Sequence, residues 1–436
     1  MASHLKNVTL LTPDSGMQKG IDLAIDDAGT ITAIGAALPP TPGAEQIDAR
    51  GALCLPGLVN THNHSPLMIV RGMIEDVSFA PAYTPGVPQG HWLSDEETLA
   101  LARLGVMEML CAGATTIVDY YRCPEALAQA AAEFGLRAQI GGRVMDMDSA
   151  ALSEGRFVRD DALGEATLGA ALAVQEKWDG KGRISTILAP HAPDSCSRQM
   201  FETMRDLAAK SGKQVHTHLS QSQMEVDQIR AREGLTPTEF LDDLGLLSPD
   251  LIAAHCIFMS DSDIARFGKA GAVLAHAPIG NASFGAAAPI KALHGAGATI
   301  TLCTDTKSAD MFEAMRMALA TARWRAGMSF DFDAATVFDW ATRGGAAALR
   351  GHGATGMLRV GDPADLVLLD ADAPNLRPQI DGAGLLAHSA SAGNVTDVMV
   401  GGDWLVRGHR PTRADMSEVV QTAQTVCDRL WQRARG

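Results

Sequence analysis

The chain is short of several features that would each point to a function. Only 36 of its 436 residues are lysine or arginine, against 51 aspartate or glutamate, for a formal charge of -15. That balance argues against nucleic acid or an anionic membrane as a partner, since both attract basic surfaces. Aromatic residues make up 5% of the chain and none interleaves with a basic patch. No run of 18 apolar residues occurs, so no membrane-spanning helix is expected. The opening segment from Met1 to Leu10 is mixed polar, without the apolar core of a secretion signal. The seven cysteines are scattered and form no Cys-x-x-Cys, which reads as reduced thiols in a cytoplasmic protein rather than a disulfide framework. His-Glu-x-x-His, the Walker loop and Pro-Cys-x-x-Cys are also absent. Gly351-His352-Gly353-Ala354-Thr355-Gly356 has dinucleotide-loop spacing, but it follows a helix-like segment and reads as a turn.

What remains is a large apolar fraction, 46%, arranged with a clear rhythm. Short apolar runs recur at 57–64, 114–121, 137–146, 184–193, 214–222, 251–258, 272–278 and 299–307, with helical signals between most of them. Ser94 with Glu97 makes a capping box ahead of an apolar helix that Gly113 stops, and Thr236-Pro237 with Glu239 makes another start. Ser197 and Ser260 open two more. Eight β-runs alternating with helices predict an α/β protein, a TIM-like (β/α)8 barrel over 56–356 with function at the C-terminal ends of its strands. The flanks, 1–55 and 357–436, carry short alternating runs instead. They are read as one small β domain assembled from both termini, with a C-terminal helix over 414–434.

Five residues end those runs with metal-ligand chemistry. His62 and His64 sit at i and i+2 and so share a strand face. His218 closes His216-Thr217-His218, His255 ends the sixth run, and Asp305 ends the eighth. On a barrel these ends converge, and imidazoles with a carboxylate are what a divalent metal takes. His216 is expected to face away from a ligating His218, as a core or supporting residue.

These residues lie within longer segments that resemble the amidohydrolase superfamily. The segments are Pro56-Gly57-Leu58-Val59-Asn60-Thr61-His62-Asn63-His64, Ala189-Pro190-His191-Ala192-Pro193 with Ser195-Cys196-Ser197, and His216-Thr217-His218-Leu219. They continue in Ala254-His255-Cys256, Pro278 to Asn281, Cys303-Thr304-Asp305, and the exit from Gly356 to Asp365. The similarity is to the mononuclear branch holding aminohydrolases of heteroaromatic rings and triazine chlorohydrolases. The resemblance implies a barrel flanked by a β-sandwich from both termini. It implies one divalent metal, Zn2+ or in some relatives Fe2+, held by His62, His64, His218 and Asp305. Asp305 would also move the proton of the attacking water, and His255 would orient that water and stabilise charge. His191 would contact substrate, as would Asn281. Relatives commonly pair as homodimers.

Two departures shape the expected reaction. Aminohydrolases of this kind carry a glutamate three residues after the strand-5 ligand, to protonate a ring nitrogen. Here that position is Gln221, which can donate a hydrogen bond but no proton. Glu225, one turn further, is read as an ordinary surface acid. The Pro- and Gly-rich stretch 65–93 is read as a binding loop in which Phe79, Tyr83 and Trp92 stack on a flat ring. It lacks the tryptophan and ribose-binding glutamate of the family's nucleoside deaminases. The expected function is a metal-dependent hydrolase cleaving a C–N bond at an sp2 carbon of a small, cyclic nitrogen compound. The alternative is displacement of chloride or another leaving group from a heteroaromatic ring. A third reading, an inactive binding or scaffold protein, requires broken ligands, and none is broken.

Overall fold

The computed structural model describes residues 2–77, 84, 86–88, 93–306, 308–327 and 330–435. Eight parallel staves form at the expected runs: Leu58–Asn63, Ala114–Tyr121, Arg137–Val144, Ile184–Thr186 continued by Ala189–Pro190, Val215–Leu219, Leu251–His255, Val273–His276 and Thr299–Leu302. They make two sheets, one of five strands and one of four. Two seams join the sheets. At one, Leu188 bridges Val215, and His216 N–H donates to the Leu188 carbonyl at 2.8 Å. At the other, Asn63 bridges Asp305, and Asp305 N–H donates to the His62 carbonyl at 3.1 Å. The second seam therefore lies within the candidate site itself.

Local signals explain the intervening helices. Ser94, Thr236 and Ser260 each close a reciprocal capping box with the acid three residues on, and Ser197 accepts from Met200 N–H. Inside the barrel, Val59, Val118, Ile252, Ala254, Val273, Ala275 and Cys303 pack against Ala346 and Leu349, so the interior is filled below the strand ends. Gly351, Gly353 and Gly356 all take positive φ in the turns after helix Arg343–Ala348, as the turn reading requires.

Strands from both ends of the chain share one nine-stranded sheet. Strand Ser3–Thr12 bulges between Leu5 and Leu10, where Asn7 has φ 56°. Its first half pairs with Glu45–Asp48 and its second with Leu53–Pro56. The bend folds the two expected layers from a single hydrogen-bonded sheet over a core of Leu5, Leu23, Ile25, Leu366 and Met399. The last helix runs from Met416 to Arg435. Among the described residues, no helix is long and apolar enough to cross a membrane.

Candidate metal centre

Strand ends bring His62, His64, His218, His255 and Asp305 together. The ligand atoms of His62, His64 and His218 lie within 4.8 Å of one another, as do those of His62, His255 and Asp305. His255, Cys256 and Asp305 have φ of 75°, 49° and 63°, and Ser220 after the fifth strand has 48°. Left-handed backbone at non-glycine residues costs about 1–3 kcal/mol each. Here it turns the chain sharply enough to aim side chains across the barrel mouth.

Each ring is oriented from behind. His64 Nδ1 lies 2.6 Å from the Tyr120 carbonyl, and His218 Nδ1 lies 2.7 Å from the His191 carbonyl. A carbonyl only accepts, so both Nδ1 atoms carry hydrogen and both Nε2 atoms present lone pairs. Those lone pairs face each other at 3.1 Å. Two nitrogens that each bonded one zinc at about 2.0–2.1 Å would stand about 3 Å apart. These two nitrogens would hold a divalent cation, which would relieve the repulsion between their lone pairs.

His62 repeats the pattern. Its Nδ1 is 3.0 Å from His216 Nε2, and His216 Nδ1 is 3.4 Å from the Ile252 carbonyl. Its Nε2 is buried without a hydrogen-bond partner, 3.3 Å from Asp305 Oδ1. Burial pushes the imidazoles of His62, His218 and His216 below the usual range, and that of His64 down to about 3. Neutral rings are the ligating form. Burial pushes Asp305 the other way, but the contact with His62 and the neighbouring imidazoles overcome it and hold the carboxyl well below its usual range. The residues present fit a divalent metal.

Several expectations need correction. His216 shares the side of His218, as i and i+2 must on one strand. It sits behind His62, orienting that ring. Glu225 is no surface acid: it is fully buried and accepts from the N–H groups of Ser220 and Gln221, both at 2.8 Å. Burial, together with nearby Asp194, pushes its carboxyl up to about 8. Asn281 is 2% exposed with Oδ1 2.9 Å from His255 Nδ1, so it holds His255. His191 is buried beside His218, ring centroids 4.8 Å apart, with Nδ1 2.7 Å from Ser195 Oγ. Gln221 is half-buried and lies on the turn that Glu225 anchors. Phe79, Tyr83 and Trp92 lie outside the described residues. The sequence reading missed Tyr120, whose hydroxyl is 3.1 Å from His218 Nδ1 in the barrel interior, and Arg143, which stacks on Tyr121 at 4.7 Å. Neither residue ends a run with ligand chemistry, so only the fold reveals them.

The model of the amidohydrolase family matches residues 53–405. The chain belongs to the amidohydrolase family. It is thus a hydrolase acting on carbon–nitrogen bonds, as the resemblance implied. The amidohydrolase is 30% identical to a 5'-deoxyadenosine deaminase of Methanosarcina acetivorans, over 99% of this chain and 98% of that one. An adenosine deaminase of Xanthomonas campestris with bound zinc superposes with a TM-score of 0.86 at 26% identity, over 98% of each chain. Atrazine chlorohydrolase of Arthrobacter aurescens complexed with zinc shares the fold, with a TM-score of 0.85 at 24% identity over 97% of this chain and 99% of that one.

Proposed function

We propose that this amidohydrolase releases an amino group from an sp2 ring carbon of a 6-aminopurine-like heterocycle, using one zinc ion held by His62, His64, His218 and Asp305. The observation that carries the reading is the meeting of the His64 and His218 Nε2 lone pairs at 3.1 Å, with the unpartnered His62 Nε2 beside Asp305. The relatives' deamination of adenosine-type substrates supports the substrate class. Those relatives favour a nucleoside, although the 65–93 stretch lacks the tryptophan and ribose-binding glutamate of nucleoside deaminases.

When bound, the metal supplies Lewis-acid activation of a water molecule near neutral pH. The Asp305 carboxylate takes a proton from the attacking water and passes it to the departing amine. His255, with Nδ1 engaged by the Asn281 oxygen, turns Nε2 toward Asp305 and orients that water. His191 contacts the ring from the fourth strand. Gln221 donates a hydrogen bond to a ring nitrogen, where a glutamate would deliver a proton. Attack on the ring then leans on the leaving group. A leaving group that departs without protonation, such as chloride, is favoured for the same reason, and this keeps the second reading alive.

The test is product release from 5'-deoxyadenosine, adenosine, 6-chloropurine riboside and atrazine. We expect ammonia from the adenosines and faster chloride release from the chloropurine. Chloride from atrazine with no ammonia from either adenosine selects the second reading.

A further inference from the structure

Ligand His64 is followed directly by Ser65–Val70, a 3-10 turn whose six residues are all buried. Three distant elements hold this turn. Ser65 N–H donates to Asp119 Oδ1 at 3.0 Å on the second barrel strand. Helix Asp95–Cys111 approaches the Ser65 backbone so closely that a Cβ at Gly105 would lie 2.6 Å from the Ser65 oxygen. The far end of the turn is held by the last helix of the chain, where Trp431 Nε1–H donates to the Ile69 carbonyl at 2.8 Å, across 362 positions.

The same helix also reaches the start of helix Asp95–Cys111. Glu97 closes the capping box there, its Oε2 accepting from Ser94 N–H at 2.9 Å. Its Oε1 takes Arg433 at 2.7 Å and Arg429 at 3.1 Å. Val419, Ala423, Val426 and Leu430 form the buried stripe that seats the helix. One helix therefore grips both the turn beside His64 and the helix that backs that turn. An indole N–H that donates to a buried carbonyl near the end of a 3-10 turn fixes that turn in position as well as adding buried area.

We propose that the C-terminal helix is a positioning element of the metal centre, with Trp431 setting the placement of His64 through the Ile69 carbonyl. The proposal rests on the metal-centre reading above. Trp431 is a positioning residue and touches neither metal nor substrate.

The test loads the full-length protein with Co2+ and compares wild type with Trp431→Phe, which keeps an aromatic ring and removes the donor. The expected result is unchanged stoichiometry, a shifted cobalt visible spectrum, and metal extraction by a chelator about fivefold faster, the loss expected of one neutral hydrogen bond. An unchanged spectrum and extraction rate, with only a lower melting temperature, overturns the proposal. If Trp431→Phe does not fold, Trp431→Leu, which also removes the indole donor, takes its place in the same comparison, with the same two outcomes deciding for or against the proposal. A wild type that takes up no cobalt overturns the metal-centre reading instead.

Discussion

Replacing His216 with phenylalanine isolates the support behind the first ligand. The substitution keeps a ring in the barrel and removes the group that orients His62, whose Nδ1 is 3.0 Å from His216 Nε2. Both rings are fully buried, so water cannot take over the lost contact. A buried N–H left unpaired costs about 1–3 kcal/mol, which is about 5- to 150-fold in an equilibrium constant. Removing the partner behind a metal-bound histidine typically costs about 10–100-fold in affinity. The two ranges overlap, so the metal dissociation constant of His216→Phe is expected to rise about 10- to 100-fold. Competition against a chelator of known affinity measures it directly. A dissociation constant within twofold of wild type would refute the claim that His216 fixes the tautomer and aim of His62.

Three further outcomes follow from the same geometry. Gln221→Glu should speed ammonia release from 5'-deoxyadenosine by about 10²-fold, the lower range for an added general acid, and speed dechlorination of 6-chloropurine riboside much less; equal effects on both substrates would deny Gln221 its place beside the ring. Asp305→Asn should lower kcat by about 10²–10⁴-fold while the three histidines retain metal, and a variant keeping a tenth of wild-type kcat would remove Asp305 from proton transfer. Glu225 has its carboxyl raised by burial from 4.5 to about 8, so the folded chain binds the extra proton. Stability should therefore fall as pH climbs from about 4.5 to 8 and level off above. Urea midpoints across that range should show the slope in wild type and lose it in Glu225→Gln, and identical profiles would refute the assignment.

Much of this site could be read from residue order because barrel strands advertise themselves. An apolar run fills the wall, and the polar residue that ends it must lie at the mouth, so His62, His64, His218, His255 and Asp305 each carried their own signal. The helix starts at Ser94, Thr236 and Ser260 were legible because a cap and its acid lie three residues apart. Contacts across the barrel were not. His216 meets His62 across 154 positions, and alternation along one strand says which side a residue takes but not what waits there. Glu225 read as a surface acid because its helix start looks polar. Its burial depends on the Ser220 turn at φ 48°, which folds two backbone N–H groups back onto the carboxylate. Asn281 followed the same rule, since its partner His255 reaches it only through a left-handed turn at φ 75°.

Metal content tests the mononuclear centre most directly. Elemental analysis of the purified full-length chain should find one zinc per polypeptide, and the His218→Ala variant should retain almost none. A wild type with no bound metal, with two per chain, or with a content untouched by His218→Ala would contradict the reading of His62, His64, His218 and Asp305 as one mononuclear centre.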